Sequence, residues 1–182
     1  LDAPLAPFTL GGSADMTLSG PLAIKSGNVT FNRTGGTVTV TPGASFAIAS
    51  GANLTLAGTS ITPGSAPFPA ATNNGGLIVS SVAQLAALSG TGSTTVNSGG
   101  ILTVDLLNQS SLAVTGTGKV VVRAGASVVN TLASLSIISS GSVDLANDKL
   151  VIDYSGASPA NTIRQNLLSG RGSGNWTGSG LI

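Results

Sequence analysis

An aliphatic doublet at positions i and i+2 recurs about every eight residues along much of this chain, and a small-residue corner follows most of the doublets. The stretch TVTVTPGASFAIASGANLTLAG, residues 37–58, holds three of them: Val38/Val40, Phe46/Ile48 and Leu54/Leu56. Side chains two apart on a strand face the same side, so each doublet marks a short strand with one apolar face. A strand of about four residues spans only ~13 Å and cannot bury that face alone. It can bury it by lying on an equivalent strand one turn of chain later. That is the logic of a β-solenoid, in which inward doublets pile into one aliphatic column. Small corner residues let the chain bend sharply between strands.

Further doublets are Met16/Leu18, Leu22/Ile24 and Val29/Phe31. A second series holds Leu102/Val104, Leu112/Val114, Val120/Val122, Leu135/Ile137, Val143/Leu145 and Leu150/Ile152. Val96 leads into it, and Val128 or Val129 fills the gap before Leu135. The doublets from Val38 to Ile152 are the expected core column. Two or three strands per coil correspond to ~16 or ~24 residues per coil. An antiparallel sandwich or barrel also uses short strands and frequent turns. The small drift of the doublets favours the solenoid. Composition agrees: 41% hydrophobic content argues against disorder, and Val, Ile and Thr suit strands as Gly and Asn suit turns.

Three segments break the pattern. ITPGSAPFPAATNNGG, residues 61–76, carries Pro63, Pro67 and Pro69 and reads as a loop leaving the array, because proline cannot donate to a ladder. SSVAQLAALSG, residues 80–90, reads as a short helix capped by Ser80 or Ser81 and stopped by Gly90. In SPANTIRQNLLSG, Ser158 suits an N-cap, Pro159 the first helical position and Gly170 the closing turn. The spacing of Ile163 and Leu167, with Leu168 beside them, predicts a helix over 159–168 on the side or end of the solenoid. The expected organisation is one array, with first coils in 1–60, a loop and short-helix insertion in 61–92, later coils in 93–153 and a C-terminal helix and capping segment in 154–182.

Charge narrows the function classes. The formal net charge is +1, charged residues make up 7% of the chain, and the seven Lys/Arg are scattered singly. A nucleic-acid binder needs a basic stripe with interleaved aromatics, so that class is set aside. Weak colloidal repulsion favours self-association. The absence of Cys excludes disulfides and thiolate metal sites. No run of about 18 apolar residues predicts a membrane-spanning helix. The chain begins LDAPLAPF, without Met, and reads as a piece of a longer protein.

The chain also lacks His and Glu, which removes most catalytic constellations. Asp105, Lys119 and Arg123 are the candidates for a carbohydrate-cleaving site. Asp105 and Arg123 end the similar runs ILTVD and KVVVR, 18 residues apart, and stack as neighbours in a two-strand coil. A surface ion pair is the favoured reading of these two, since one Asp supplies no pair of carboxylates. Asp144, Asp148 and Asp153 form an acidic cluster, read as turn residues rather than a calcium site. Trp176 and Tyr154 are candidate glycan contacts, and Trp176 is also the expected plug for one end of the fold. Thr37, Thr39 and Thr41 suggest an ice-binding ladder that the following units do not continue. No catalytic residue, cofactor or metal is expected.

The C-terminal stretch VDLANDKLVIDYSGASPANTIRQNLLSGRGSGNWTGSGLI, residues 143–182, resembles a segment near the C-termini of large secreted bacterial surface proteins with autotransporter-type β-strand repeats. In those proteins dockerin-like repeats or a PEP-CTERM sorting tail often follow. The resemblance implies secretion and a right-handed parallel β-helix, and no enzyme activity. The resulting expectation is a structural protein: a stalk, adhesin spacer or extracellular fibre that polymerises end to end with itself. A polysaccharide-binding surface module is the alternative, and a β-helix polysaccharide lyase ranks behind it.

Overall fold

The structure is a computed structural model, and it describes residues 1–36, 38–58, 68–123 and 128–182; at residues 3–5 and 38 it describes the backbone alone. The first coils comprise β1 (Asp2–Gly12), β2 (Met16–Leu18), β3 (Pro21–Ile24), β4 (Ser26–Arg33), β5 (Val38–Val40), β6 (Ser45–Ile48) and β7 (Asn53–Ala57). Then come β8 (Ala70–Asn73), β9 (Gly76–Val79), β10 (Val82–Ser89), β11 (Ser93–Val96) and β12 (Ile101–Val114). The chain ends with β13 (Lys119–Val122), β14 (Val129–Ile137), β15 (Ser142–Asp144), β16 (Lys149–Ile152), the helix α1 (Ala160–Arg171) and β17 (Gly180–Leu181).

Among the described residues every strand pairing is parallel, as in a β-solenoid and unlike an antiparallel sandwich. Each coil has three faces, so the three-strand alternative holds. The first face stacks β1, β4, β7, β9, β11, the end of β12 and the end of β14. The second stacks β3, β6, β8, the end of β10, the middle of β12, the start of β14 and β16. The third holds β2 on β5, and separately the starts of β10 and β12 followed by β13, β15 and β17.

The eight-residue rhythm is therefore one face of a 24-residue coil. Phe46 lies on Leu22 and Leu54 on Val29, offsets of 24 and 25 residues. The coil then tightens: Leu77 pairs with Thr94 and Thr94 with Leu112, offsets of 17 and 18. β12 shows how. It runs across all three faces without a break, burying positions 102, 104, 107, 109, 112 and 114, with only two residues at each corner. Wider corners use turns. At 49–52 and 97–100, the N–H of Ala52 donates to Ala49 O at 3.0 Å and that of Gly100 to Asn97 O at 2.9 Å. The third residues, Gly51 and Gly99, have φ of +79° and +78°, a region that favours glycine.

The aliphatic column runs through the middle of these faces. Val40, Phe46, Ile48, Leu54, Leu56, Leu102, Val104, Leu112, Val114, Val120, Val122 and Val143 are buried. Leu135, Ile137, Leu145, Leu150 and Ile152, in the last coil, are half-buried against it. The side chain of Val38 lies outside the described residues. Full burial of one such side chain is worth about 1.5–3 kcal/mol.

Three expectations need correction. Residues 82–89 are a strand, not a helix, because Ala83, Leu85 and Leu88 point into the column while Val82–Leu85 ladders onto Ile101–Val104. Ala-rich composition favours helix locally, but stacking on both neighbouring coils overrides it. Of the expected loop, residues 61–67 lie outside the described residues, and 70–73 are already strand. Val129 does not fill the gap before Leu135: it is 49% exposed, and the inward pair there is Asn130 and Leu132. The C-terminal helix is present and runs to Arg171, beyond Gly170, with Pro159 at its N-cap and no side-chain cap.

Candidate functional site

Two corners and the two ends carry the side chains that are not explained by the column. At the corner between the third and second faces, Arg123 follows β13 and Asp105 lies within β12, one coil below. Arg123 Nε donates to the Asp105 carboxylate, and Nη2 donates to Leu85 O at 2.5 Å. The guanidinium also sits over the Phe68 ring, 4.0 Å from its centroid. One side chain thus ties together the chain at Phe68, β10, β12 and β13. The Asp105 side chain is 40% exposed, and Lys119 lies apart from this pair, opening β13 in register with Ile101. The arrangement is a clamp. It gathers a single carboxylate, whereas glycoside hydrolysis uses two.

At the corner between the second and first faces lies a polar cluster that the doublet pattern conceals. Asn73, Thr94 and Gln109 are all buried. Gln109 Oε1 accepts from Asn73 Nδ2 at 2.8 Å and from Thr94 Oγ1 at 3.1 Å. Asn73 Nδ2 also donates to Ser93 O at 2.8 Å, and its Oδ1 accepts from the N–H of Gly75 at 3.1 Å. Gln109 Nε2 donates to Gly90 O at 3.2 Å. Every amide hydrogen of Asn73 has a partner, as burial demands. The sequence signal was Leu107/Gln109, a doublet with one polar member midway between Leu102/Val104 and Leu112/Val114.

Outside this corner the wide turn 49–52 overhangs the tighter coils that follow. The step leaves a shallow groove of about 390 Å³, lined by Asn53, Asn74, Thr91, Ser93 and Ser111 among glycines. Asn74 Oδ1 accepts from the N–H of Thr91 at 3.0 Å. Neither Trp176 nor Tyr154 reaches this groove. Tyr154, 46% exposed, lines a second, largely apolar groove of about 480 Å³ with Ile152, Pro159, Ile163 and Leu167. Trp176 is 49% exposed, so it is not the plug. Ile163 of α1 rests on the column instead, and Gly170 and Leu181 are buried together.

The Asp cluster does not converge. Asp144 Oδ1 accepts from the N–H of Ala146 at 3.0 Å, a local turn. Asp148 lines a hollow of about 160 Å³ with Val128, Asn147 and Lys149. Among the described residues no three His, Cys, Asp or Glu side chains gather as metal ligands. Thr39 pairs with Thr17, Thr41 Oγ1 donates to Leu18 O at 3.3 Å, and Thr37 lies outside the described residues.

The two ends differ. Among the described residues, no strand covers the outer edge of β1 or β2. At the C-terminal end β17 adds to β15 and α1 lies against it, while among the described residues no strand covers the outer edge of β16 or of the end of β14. Large exposed apolar side chains concentrate in the same places: Leu1 and Phe8 at one end, and Val151, Tyr154, Leu167, Leu168 and Trp176 towards the other. No protein-family model, curated protein or solved structure matches the chain. No helix of the described residues is long and apolar enough to cross a membrane.

Proposed function

We propose that the chain is a structural module of a secreted bacterial surface protein, a stiff stalk or adhesin spacer that associates end to end with its own kind into an extracellular fibre. One observation carries the reading: a parallel ladder and an aliphatic column run along a single axis, and polar side chains are spent on holding coils together. Seven strands stacked at ~4.8 Å make a rod only about 34 Å tall. Joining of such units end to end would lengthen the rod. Open strand edges favour such joining, and a net charge of +1 opposes it little. Secretion is supported by the resemblance of residues 143–182. Size-exclusion chromatography with light scattering, followed by electron microscopy, tests the reading. End-joined particles are expected, and single rods at every concentration refute it.

A second reading has one observation in its favour: the amide- and hydroxyl-lined groove beneath the 49–52 turn suits a neutral polysaccharide. Stacking aromatics are missing from it, which ranks it second. A glycan array decides it, since binding that Asn53→Ala and Asn74→Ala abolish would promote it.

A further inference from the structure

An Asn followed by a Gly is a place where a chain can attack itself, because without a Cβ the glycine nitrogen is free to approach the amide before it. This chain has one such pair, Asn74–Gly75, in the corner between β8 and β9 and on the rim of the groove beneath the 49–52 turn. The reaction needs only water. Gly75 N gives its proton to solvent and bonds to Asn74 Cγ, the Cγ–Nδ2 bond breaks, and the departing nitrogen takes up a proton and leaves as ammonia. Water then opens the resulting cyclic imide at either carbonyl. One opening gives Asp. The other gives isoaspartate, whose main chain runs through Cγ.

The folded corner holds the reacting groups apart. The N–H of Gly75 donates to Asn73 Oδ1 at 3.1 Å. That acceptor is fixed, because Asn73 is buried and its Nδ2 is held by Ser93 O and Gln109 Oε1, each at 2.8 Å. Asn74 Oδ1 accepts from the N–H of Thr91 at 3.0 Å and from its Oγ1 at 3.3 Å, which draws the amide towards the next coil. The main chain is laddered on both sides. The N–H of Asn74 donates to Ile48 O at 2.8 Å, that of Gly76 to Ala52 O at 2.9 Å, and Gly75 O accepts from the N–H of Ser93 at 2.9 Å. The backbone has no room to shift, since a Cβ on Gly75 would lie 2.1 Å from Ala52 O and 2.4 Å from Ala49 O. Asn74 itself is exposed, so water is at hand and only the geometry of attack is lacking.

We propose that Asn74 is a self-modification site gated by the fold: it deamidates only when the corner at 73–76 opens, and its isoaspartyl product keeps the coil from closing again. Local opening is the route by which a folded chain exposes such groups to reaction. The Asp product fits, because its carboxylate keeps the acceptor that Thr91 uses. Isoaspartate does not. It inserts one carbon into the main chain between β8 and β9, both of which are paired on two sides in fixed register. The surrounding glycines leave no slack for it: a Cβ would lie 2.1 Å from Asn53 Oδ1 at Gly76, and 2.4 Å from Asn73 O at Gly90 and from Gly75 O at Gly92. Opening thereby becomes irreversible, and the working life of the module is set by how often this corner opens.

The test incubates the full chain at mildly alkaline pH, folded or in denaturing urea. Samples are digested with pepsin in acid, and mass spectrometry locates each exchange of –NH2 for –OH, with electron-transfer fragmentation separating Asp from isoaspartate. In urea, Asn74 is expected to convert faster than any other Asn of the chain, and in the folded chain at least about tenfold more slowly than in urea. Sub-denaturing urea should raise the folded-state rate severalfold. So should Gln109→Leu, which loosens Asn73, while its rate in denaturing urea stays that of the unaltered chain. After ageing in urea and return to buffer, molecules with isoaspartate at 74 should fail to regain the unaltered Tm. Asn74→Asp should melt as the unaltered chain does, and Asn74→Gln aged alike should refold. No conversion at Asn74 in urea would overturn the site. Equal rates with and without urea, or a folded rate indifferent to both loosening treatments, would overturn the gate. Isoaspartyl chains that refold to the unaltered Tm would overturn the block on closing.

Discussion

Replacing Gln109 by Leu keeps the volume at this inward position and removes the side chain's hydrogen bonds to Asn73, Thr94, Gly90 and Asn108 at once. It strands the hydroxyl hydrogen of Thr94 and one acceptor site on Gly90 O, and leaves one hydrogen of Asn73 Nδ2 with only the long 3.3 Å contact to Thr94 Oγ1. Each orphaned buried group costs about 1–3 kcal/mol, though Gly90 and Thr94 recover part of that, so the expected loss is ~3 kcal/mol. That is a large fraction of a typical folding stability of about 5–15 kcal/mol. Thr94→Val alone removes one donor to Gln109 Oε1 and a long contact from Asn73 Nδ2, while Gln109 Oε1 keeps Asn73 at 2.8 Å, and the expected cost is about 1 kcal/mol. The double variant must then cost less than the sum, because the hydroxyl that Gln109→Leu orphans is no longer there. A coupling of about 1 kcal/mol is expected for residues sharing one network. Urea unfolding followed by far-UV circular dichroism gives all three values. A cost below about 1 kcal/mol for Gln109→Leu, or strict additivity, would refute the claim that this cluster is a closed hydrogen-bond network.

Two further outcomes follow from the corners. Arg123→Ala removes the hydrogen bond to Leu85 O, the contact with the Phe68 ring and a partly exposed ion pair, a combined loss of about 2–3 kcal/mol, whereas Asp105→Asn should cost under about 1 kcal/mol. Equal losses in thermal unfolding would show that the ion pair, not the clamp, is what matters. Ser139 and Ala146 sit at φ of +64° and +50°, so glycine at either position should stabilise by about 0.5–1 kcal/mol, and a fall in Tm would contradict the turn geometry.

The stacking of doublets was legible because its cause is local. An i, i+2 pair of aliphatic side chains says which face of a short strand is apolar, and a regular interval between pairs says that each strand meets an equivalent one. The 18-residue spacing of Asp105 and Arg123 placed them side by side for the same reason, although the coil proved to have three faces and tightened corners rather than two strands. The sequence could not show that β10 is a strand. Leu85 and Leu88 stand three apart, as on a helix, and only the coils on either side make that interval a two-residue corner. Nor could it show that Asn73, Thr94 and Gln109 meet: they come from three coils, up to 36 residues apart, and polar residues reveal a buried partnership only when the register is known.

Periodicity alone determined the kind of architecture, because burying a four-residue apolar face leaves few solutions. Tertiary structure decided the rest: where the coil narrows, which polar groups are drawn inside, and that a helix and a two-residue strand pack onto the last coil. Those outcomes depend on which strand lands on which, a choice made by the energy of the whole stack and written in no single stretch of it.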